Sequence, residues 1–571
     1  MNTSVIIDLG VQSFEKIRSR NAFYVDKTDF IREWWEKGSD VTLITRPRRF
    51  GKTLNLSMTE CFFSARYADR GEWFEGLSIW TEDRYRLLQG TFPVIYLSFA
   101  SVKAPDYEEM MYSIKRLMTE AYEQNRFLLE GDILSENEKE YFHSINTAMS
   151  DASAVDAIHT LTNFLSRCFG RNVLVLLDEY DTPMQEAWLY GYWEEAVSFF
   201  SRFFNAVFKT NPYIHKGLIT GITRISKESV FSDLNNLEVI TTTSDKYASY
   251  FGFTEQEVFR ALEDFGFGAE KQGVKQWYDG FVFGSVTDIY NPWSIASFLA
   301  NGAKYRAYWV DTSSNELVNR LVREGSAGLK SKFETLLEGK QIWVPVDEQI
   351  VFYQLDAYEN EQAVWSLLLA SGYLKAVSID DSLVRDSMEE ELYELGLTNF
   401  EVRRMFAKMV RGWFRSSSNV YNEFIRALLN DDVRRMNTFM NKVAMQTFSS
   451  FDSGKKPSKD AEPERFYHGF VLGLVVELSD RYQVKSNRES GYGRYDVLIE
   501  PFDQKEKAFI FEFKVLDPND DETKLEETVA HALAQIEEKK YEAQLLAAGI
   551  LPENIRKYGF AFEGKKCLIG H

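Results

Sequence analysis

Three groups of residues in this chain are of types and spacings that could do chemistry. The first is Arg46-Pro47-Arg48-Arg49-Phe50-Gly51-Lys52-Thr53, which follows the apolar run Val41-Thr42-Leu43-Ile44 and leads into a helix-compatible stretch from Leu54. A Gly-Lys-Thr ending at a strand-to-helix turn is that of a phosphate-binding loop. Backbone N–H groups converge there on a phosphate at a helix N-terminus. Lys52 would reach the terminal phosphates, the Thr53 hydroxyl would ligate Mg²⁺, and Gly51 would let the backbone come close. The glycine that usually opens such a loop, five residues before Gly51, is here Arg46. Arg48 and Arg49 are extra cations that suit a polyphosphate, or are simply solvated.

The second group lies downstream. Val173-Leu174-Val175-Leu176-Leu177 is a continuous apolar run, as expected of a strand buried on both faces. It ends in Asp178-Glu179-Tyr180-Asp181. An acid at such a strand end holds Mg²⁺ in a nucleotide site, and Glu179 would be the general base that orients the attacking water. The other reading is an acidic turn before a helix beginning at Asp181-Thr182-Pro183. A third strand, Lys216 to Thr223, ends in hydroxyls. Thr220 or Thr223 could act as the polar sensor beside the acidic strand, with Arg224 touching a phosphate.

The third group is near the C-terminus. Tyr495-Asp496-Val497-Leu498-Ile499 and Ala508 to Val515 read as neighbouring strands. Alternation puts Phe509, Phe511, Phe513 and Val515 on one face, and Ile510, Glu512 and Lys514 on the other. Asp496 can then meet Glu512. Two carboxylates and a backbone carbonyl make a hard-oxygen site for Mg²⁺, where Lys514 would position a metal-activated water. The alternative is an edge strand carrying alternating charges. Glu464 or Glu477, flanking an apolar helix from Phe466 to Val476, could complete the site. Gln535, Lys539 and Tyr541 on or near one side of a helix from Thr523 to Gln544 could face a phosphate backbone.

The elements that must position these groups are strands alternating with helices, hence a parallel sheet in a three-layer α/β domain. Within it, Tyr192 to Val207 carries a helical stripe of Trp193, Val197, Phe200, Phe204 and Val207. A chain of 571 residues is too long for one core, and about two to four domains are expected. The reading places them at 1–240 (phosphate-binding α/β domain), 241–330 (small helical lid), 331–455 (helical connector) and 456–571 (second site), with a linker from Ser449 to Glu464. Trp277 to Phe281 and Tyr290 to Trp293 read as aromatic turns followed by helix starts.

Composition limits the classes. Hydrophobic residues are 44% and aromatics 15%, ample for cores. Three cysteines, Cys61, Cys168 and Cys567, show no paired spacing, which argues against a disulfide framework and fits a reducing cytoplasm. No signal peptide and no apolar run of about 20 residues is present, so no membrane partner is expected. With 86 acidic against 66 basic residues the net charge is -20. Nucleic acid could then bind only through a local basic groove or through metal ions.

Phe23-Tyr24-Val25-Asp26-Lys27-Thr28, the Arg46–Thr53 loop, Leu177-Asp178-Glu179-Tyr180-Asp181 and Tyr278-Asp279-Gly280-Phe281 resemble the bacterial AAA-ATPase-like family. That family is typically fused to a C-terminal domain of the PD-(D/E)XK nuclease superfamily. Glu464 to Phe470, Tyr495-Asp496-Val497 and Phe511-Glu512-Phe513-Lys514 resemble that domain's start and signature. The resemblance implies that Arg46 is the family's own pattern. It also implies a restriction-endonuclease-like C-terminal fold, ATP as nucleotide and DNA as substrate. The resulting reading is a cytoplasmic protein that could form a homo-oligomer. It would bind ATP–Mg²⁺ through Arg49, Gly51, Lys52, Thr53, Asp178 and Thr220, with Glu179 as base. It would hold a second Mg²⁺ on Asp496 and Glu512, with Lys514 assisting phosphodiester hydrolysis. The alternative is an ATP-dependent switch or interaction protein whose C-terminal domain binds a partner without cutting.

Overall fold

The computed structural model describes residues 6–37, 39–224, 230–231, 234–310, 318, 321–322, 327–347, 360–380, 391–413, 418–447, 481–490, 493–516, 522–563 and 566–571. The chain forms two compact units, Met1–Leu321 with Gly339–Arg403, and Val322–Glu338 with Arg404–His571.

The first unit is built on five parallel strands: β1 (Val41–Thr45), β2 (Val94–Ser98), β3 (Val173–Asp178), β4 (Ile214–Gly221) and β5 (Leu237–Ile240). Their order is β2-β3-β4-β1-β5. Every residue of β1 and of β3 is buried, as their unbroken apolar runs require of strands covered on both faces. Leu174, Leu176 and Leu218 point into a core shared with Leu56, Met58 and Phe62 of α1 (Lys52–Phe63). Further helices pack on β2 and β3, α2 (Tyr107–Gln124) on β2 and α3 (Asp151–Phe169) on β3, while α4 (Thr182–Tyr190) packs on α5 (Trp193–Phe208) and α5 on α3. Gly217 in β4 leaves the space that the Phe208 ring of α5 fills; a Cβ there would lie 2.6 Å from that ring. The aromatic stripe of α5 is core: Trp193, Phe199, Phe200, Phe203, Phe204 and Val207 are all buried.

The region after β5 contains helices and also two small antiparallel sheets that the sequence pattern does not announce. One has the order β6-β8-β7, with β6 (Phe253–Thr254), β7 (Asp279–Phe283) and β8 (Val286–Tyr290). Residues 279–283, the first three of which the sequence pattern places in an aromatic turn from Trp277 to Phe281, are a strand that buries Phe281 and Phe283. Around it lie α6 (Glu255–Asp264), α7 (Lys271–Tyr278) and α8 (Pro292–Ala300). Thr254 and Glu257 form a reciprocal cap at the start of α6, and Asn291 caps α8 ahead of its proline. The other sheet has the order β10-β11-β9, from β9 (Ile342–Pro345), β10 (Leu374–Asp380) and β11 (Leu392–Leu397).

The second unit holds the sheet β12-β13-β14-β15-β16: Tyr482–Ser490, Gly493–Pro501, Ala508–Val515, Ile555–Glu563 and Lys566–Gly570. β14 and β15 are parallel and the other pairs antiparallel. The alternation of β14 sorts its residues as its pattern implies. Phe509, Phe511 and Phe513 share a core with Phe424, Met436, Phe439 and Met440 of the helical pair α9 (Ser418–Leu429) and α10 (Val433–Thr447). Ile510 packs instead with Ile536 of α11 (Leu525–Lys539), and with Tyr541 and Leu545.

The free edge of β16 is closed by side chains. Asn437 donates to the Ile569 carbonyl and accepts from the Ile569 N–H, at 2.8 and 2.7 Å. Asn441, one helical turn on, does the same for Cys567, at 2.6 and 3.0 Å. The spacing works because alternate residues of a strand show their backbone to the same side and residues four apart share a helix face. Asn437→Ala leaves two backbone groups of a half-buried edge unbonded. The expected cost is about 1–3 kcal/mol of stability, measurable by urea unfolding of the full chain.

Candidate nucleotide and nuclease-like sites

The nucleotide site forms where β1, β3 and β4 end side by side. Gly51 is the N-cap of α1 and adopts φ 82°, which only glycine takes easily. Lys52 is buried, and its ammonium donates to the Arg46 and Pro47 carbonyls, both at 2.9 Å. Burial pulls its pKa down, while Glu179, Asp181 and Asp178 oppose that shift. The Asp178 carboxylate, with no exposed surface, accepts from Thr53 at 2.8 Å and Thr220 at 2.6 Å. Burial raises the pKa of Asp178, and those two hydroxyls oppose the rise. Thr53, Asp178 and Thr220 are therefore one connected set, and Lys52 feels the field of three acids. A hydroxyl beside a carboxylate is a donor set that suits Mg²⁺.

The turn after β3 is lashed to the end of β4. Tyr180 donates from its backbone to the Thr220 carbonyl at 3.1 Å and from its phenol to the Thr223 carbonyl at 2.9 Å. Asp181, fully buried, accepts from the backbone N–H groups of Ile222 and Thr223 and from the Thr223 hydroxyl. Asp181 begins α4, yet its side chain does not cap the helix. A Cβ on Gly221 would come within 2.8 Å of Tyr180 and Asp181 side-chain atoms, so glycine permits this approach. Glu179 sits in the middle of the turn at φ 51°, a left-handed backbone that a non-glycine residue keeps only when its neighbours impose it. Thr223 is thus a bracket for the turn, and Thr220 is the hydroxyl that meets Asp178.

Arg46 does not enter the phosphate cradle. Its fully buried guanidinium donates to the Thr45 carbonyl at 2.9 Å and to the Thr241 carbonyl, and lies 4.7 Å over the Phe283 ring. The rest of the loop is gripped by the region after β5. Asn291 and the Trp309 indole both donate to the Arg48 carbonyl, at 3.3 and 3.0 Å. Phe50 packs edge-on against Phe281 and Phe283. Pro47 sits against Gly372, where a Cβ would lie 2.7 Å from the proline ring. Arg49 is exposed and stacks on Trp293 at 4.6 Å. These clamps are the residues that sequence reading missed. Their signal was present, in Tyr278-Asp279-Gly280-Phe281 and Tyr290-Asn291-Pro292-Trp293, but no local pattern says what such aromatics touch.

Asp279, the first residue of β7, belongs to an acidic trio with Glu255 and Asp288. Lys275 serves all three: it is bonded to Glu255 and lies 3.0 Å from Asp288 and 3.9 Å from Asp279. Burial first, then Asp288, pushes the Asp279 carboxyl from 3.8 up to about 7. The folded value lies above the unfolded one. The stability contributed by this proton is complete below pH 3.8 and lost as pH rises through about 7. Asp279→Asn should therefore unfold with the parent near pH 4 and be more stable near pH 8, by at most roughly 4 kcal/mol. Urea unfolding at the two pH values measures it.

In the second unit β13 and β14 pair Val497 with Phe511, which brings Asp496 beside Glu512. Asp496 accepts from the Phe513 N–H at 2.8 Å, the amide between Glu512 and Lys514. Glu512 is 3% exposed and is hydrogen-bonded to the Gln535 amide of α11. Gln535 also donates to the Tyr541 hydroxyl at 3.1 Å. Burial raises the Tyr541 pKa, Gln535 opposes the rise, and Glu512 and Asp496 add to it. Two carboxylates, one of them nearly fully buried on the α11 side of the sheet, are a hard-oxygen donor set that suits a divalent cation. Lys514, two residues beyond Glu512 on the same strand, is half-buried. Glu464, Glu477 and the helix from Phe466 to Val476 lie outside the described residues, as does the linker before them.

Residues 8–231 match the family model described as predicted AAA-ATPase, and residues 462–571 match that of the PD-(D/E)XK nuclease superfamily. An uncharacterized protein in the vnfD 5′ region of Azotobacter chroococcum mcd 1 is 25% identical over 564 residues, covering 95% of this chain and 94% of that protein. Among solved structures, the Aeropyrum pernix ORC2 protein in ADPNP–ADP complexes aligns over 72% of this chain and 97% of its own, at 11% identity and a TM-score of 0.23. No helix among the described residues is long and apolar enough to cross a membrane.

Proposed function

We propose that this chain, in which a predicted AAA-ATPase region is joined to a PD-(D/E)XK nuclease superfamily region, is an ATP-binding protein that controls a Mg²⁺-dependent nuclease acting on DNA. The observation that carries the first half is the connected set of Thr53, Asp178 and Thr220, with the buried Lys52 ammonium held by the loop carbonyls in the field of Asp178, Glu179 and Asp181. Thr53 and Asp178 would hold Mg²⁺, Lys52 and the loop amides would hold the phosphates, and Glu179 would take the proton of the attacking water. Asp496 and Glu512 would hold the second Mg²⁺, which lowers the pKa of a bound water when present. Lys514 would orient that water against the phosphorus.

The test is a metal-dependent DNA cleavage assay on the full chain, with and without ATP, with Glu512→Ala as control. Cleavage that requires Mg²⁺, is lost in Glu512→Ala and changes with ATP in the parent but not in Lys52→Ala supports the reading. Equal cleavage by Lys52→Ala and the parent at every ATP concentration sinks the coupling. A parent that binds ATP but leaves DNA intact points instead to a switch whose C-terminal domain is a binding module.

A further inference from the structure

α11 carries a second polar group on the flank that holds Gln535. Val529, Ala532 and Ile536 are its buried positions. His531 lies four residues before Gln535, one turn away on the same side. Its Nδ1 is 2.5 Å from Glu522 Oε1. The Glu522 side chain is 6% exposed and the His531 side chain 56%. Glu522 also accepts from the Thr528 hydroxyl at 2.7 Å. A carboxylate is an acceptor, so Nδ1 carries the hydrogen and the ring presents Nε2 outward.

The connection places this pair. β14 and β15 are parallel neighbours, so α11, which joins them, runs back against the direction of β14. Gln535 marks the level of Glu512. Moving from Gln535 to His531 is a step of about 6 Å toward the start of the helix. On β14 the matching step of about 6.6 Å leads from Glu512 to Lys514. His531 is thereby set at the level of Lys514, on the same side of the sheet as Glu512.

We infer that His531 is the general acid of the nuclease-like site, with Glu522 fixing its tautomer; the inference rests on the nuclease reading above. Water adds to phosphorus as the bond from phosphorus to the departing sugar oxygen breaks. The water's proton leaves to solvent, and the departing alkoxide takes the Nε2 proton of the His531 imidazolium. Solvent then reprotonates the ring.

The experiment uses the full chain with Mg²⁺ and two DNA duplexes, one ordinary and one whose bridging leaving oxygens are replaced by sulfur, made in 3′ and 5′ forms. A thiolate leaves without needing a proton. His531→Ala should cut the ordinary duplex about 10²-fold more slowly than the parent, and cut one sulfur-bridged form within about threefold of it. Glu522→Gln should show a smaller loss with the same selectivity. In the metal-free protein, ¹⁵N spectra of labelled imidazoles should show a hydrogen-bonded Nδ1–H at His531 that shifts in Glu522→Gln. Equal losses on both duplexes, no loss on either, or an unbonded Nδ1 would overturn the inference while leaving the nuclease reading intact. A parent that cuts neither duplex would overturn both.

Discussion

Glu179→Gln should bind ATP about as well as the parent and hydrolyse it about 10²–10⁴-fold more slowly, the usual contribution of a positioned general base. Glutamine keeps the volume and the left-handed backbone, because that backbone is imposed by neighbours and not by the Glu179 side chain. Tyr180 is tied to Thr220 and Thr223, and Asp181 to Ile222 and Thr223. The Asp178 set with Thr53 and Thr220 is likewise untouched. What changes is the loss of a carboxylate near the reacting water, and with it the strongest of the three acidic fields at Lys52. Equilibrium nucleotide binding and phosphate release, measured on the same preparation, separate the two effects. Unchanged phosphate release would remove Glu179 from the mechanism.

Glu512→Ala should abolish Mg²⁺-dependent DNA cleavage, by more than the roughly 10–100-fold that loss of an outer-shell partner costs, because it removes one of the two carboxylates, Asp496 and Glu512, that would hold the ion. Stability should change less than the burial suggests. The substitution removes a charge from a site 3% exposed, which is favourable. It also leaves the Gln535 amide with the Tyr541 hydroxyl but without its carboxylate acceptor, costing about 1–3 kcal/mol. Glu512→Gln keeps the shape and serves as the folded control. Calorimetric Mg²⁺ titration of the parent and both variants, beside the cleavage assay, distinguishes a lost metal site from a lost fold. Full cleavage by Glu512→Ala would exclude a metal on this pair.

The parts of this protein legible in its sequence are those in which a short segment determines its own environment. An unbroken apolar run such as Val173–Leu177 announces a covered strand, and the acids after it fall at the strand end. The alternation of β14 assigns Glu512 and the phenylalanines to opposite faces without reference to any other element. What was not legible depends on partners distant in sequence. Nothing near Arg46 says that its guanidinium is buried against Thr241 and Phe283, so the residues alone showed a missing glycine, and only the family resemblance made it a pattern. Asp279 to Phe283 carry turn-like composition and become a strand because β8 lies beside them and Phe50 packs on their face. Asn437 and Asn441 look like unremarkable polar positions of a helix until β16, more than a hundred residues later, is laid against them.

The grip on the phosphate loop has a consequence for how the chain comes into being. The loop itself is complete once residue 53 has been made, and its sheet partners by about β5. Its clamps come much later: Asn291 and Trp309 lie 243 and 261 residues beyond Arg48, and Gly372 is farther still. Contacts of such separation form late in folding. A nascent chain that stops after β5 would carry Lys52, Thr53, Asp178 and Thr220 and still lack the braces on their loop. The loop is then braced near the end of folding of this unit, as a sign that residues far from it have already found their places.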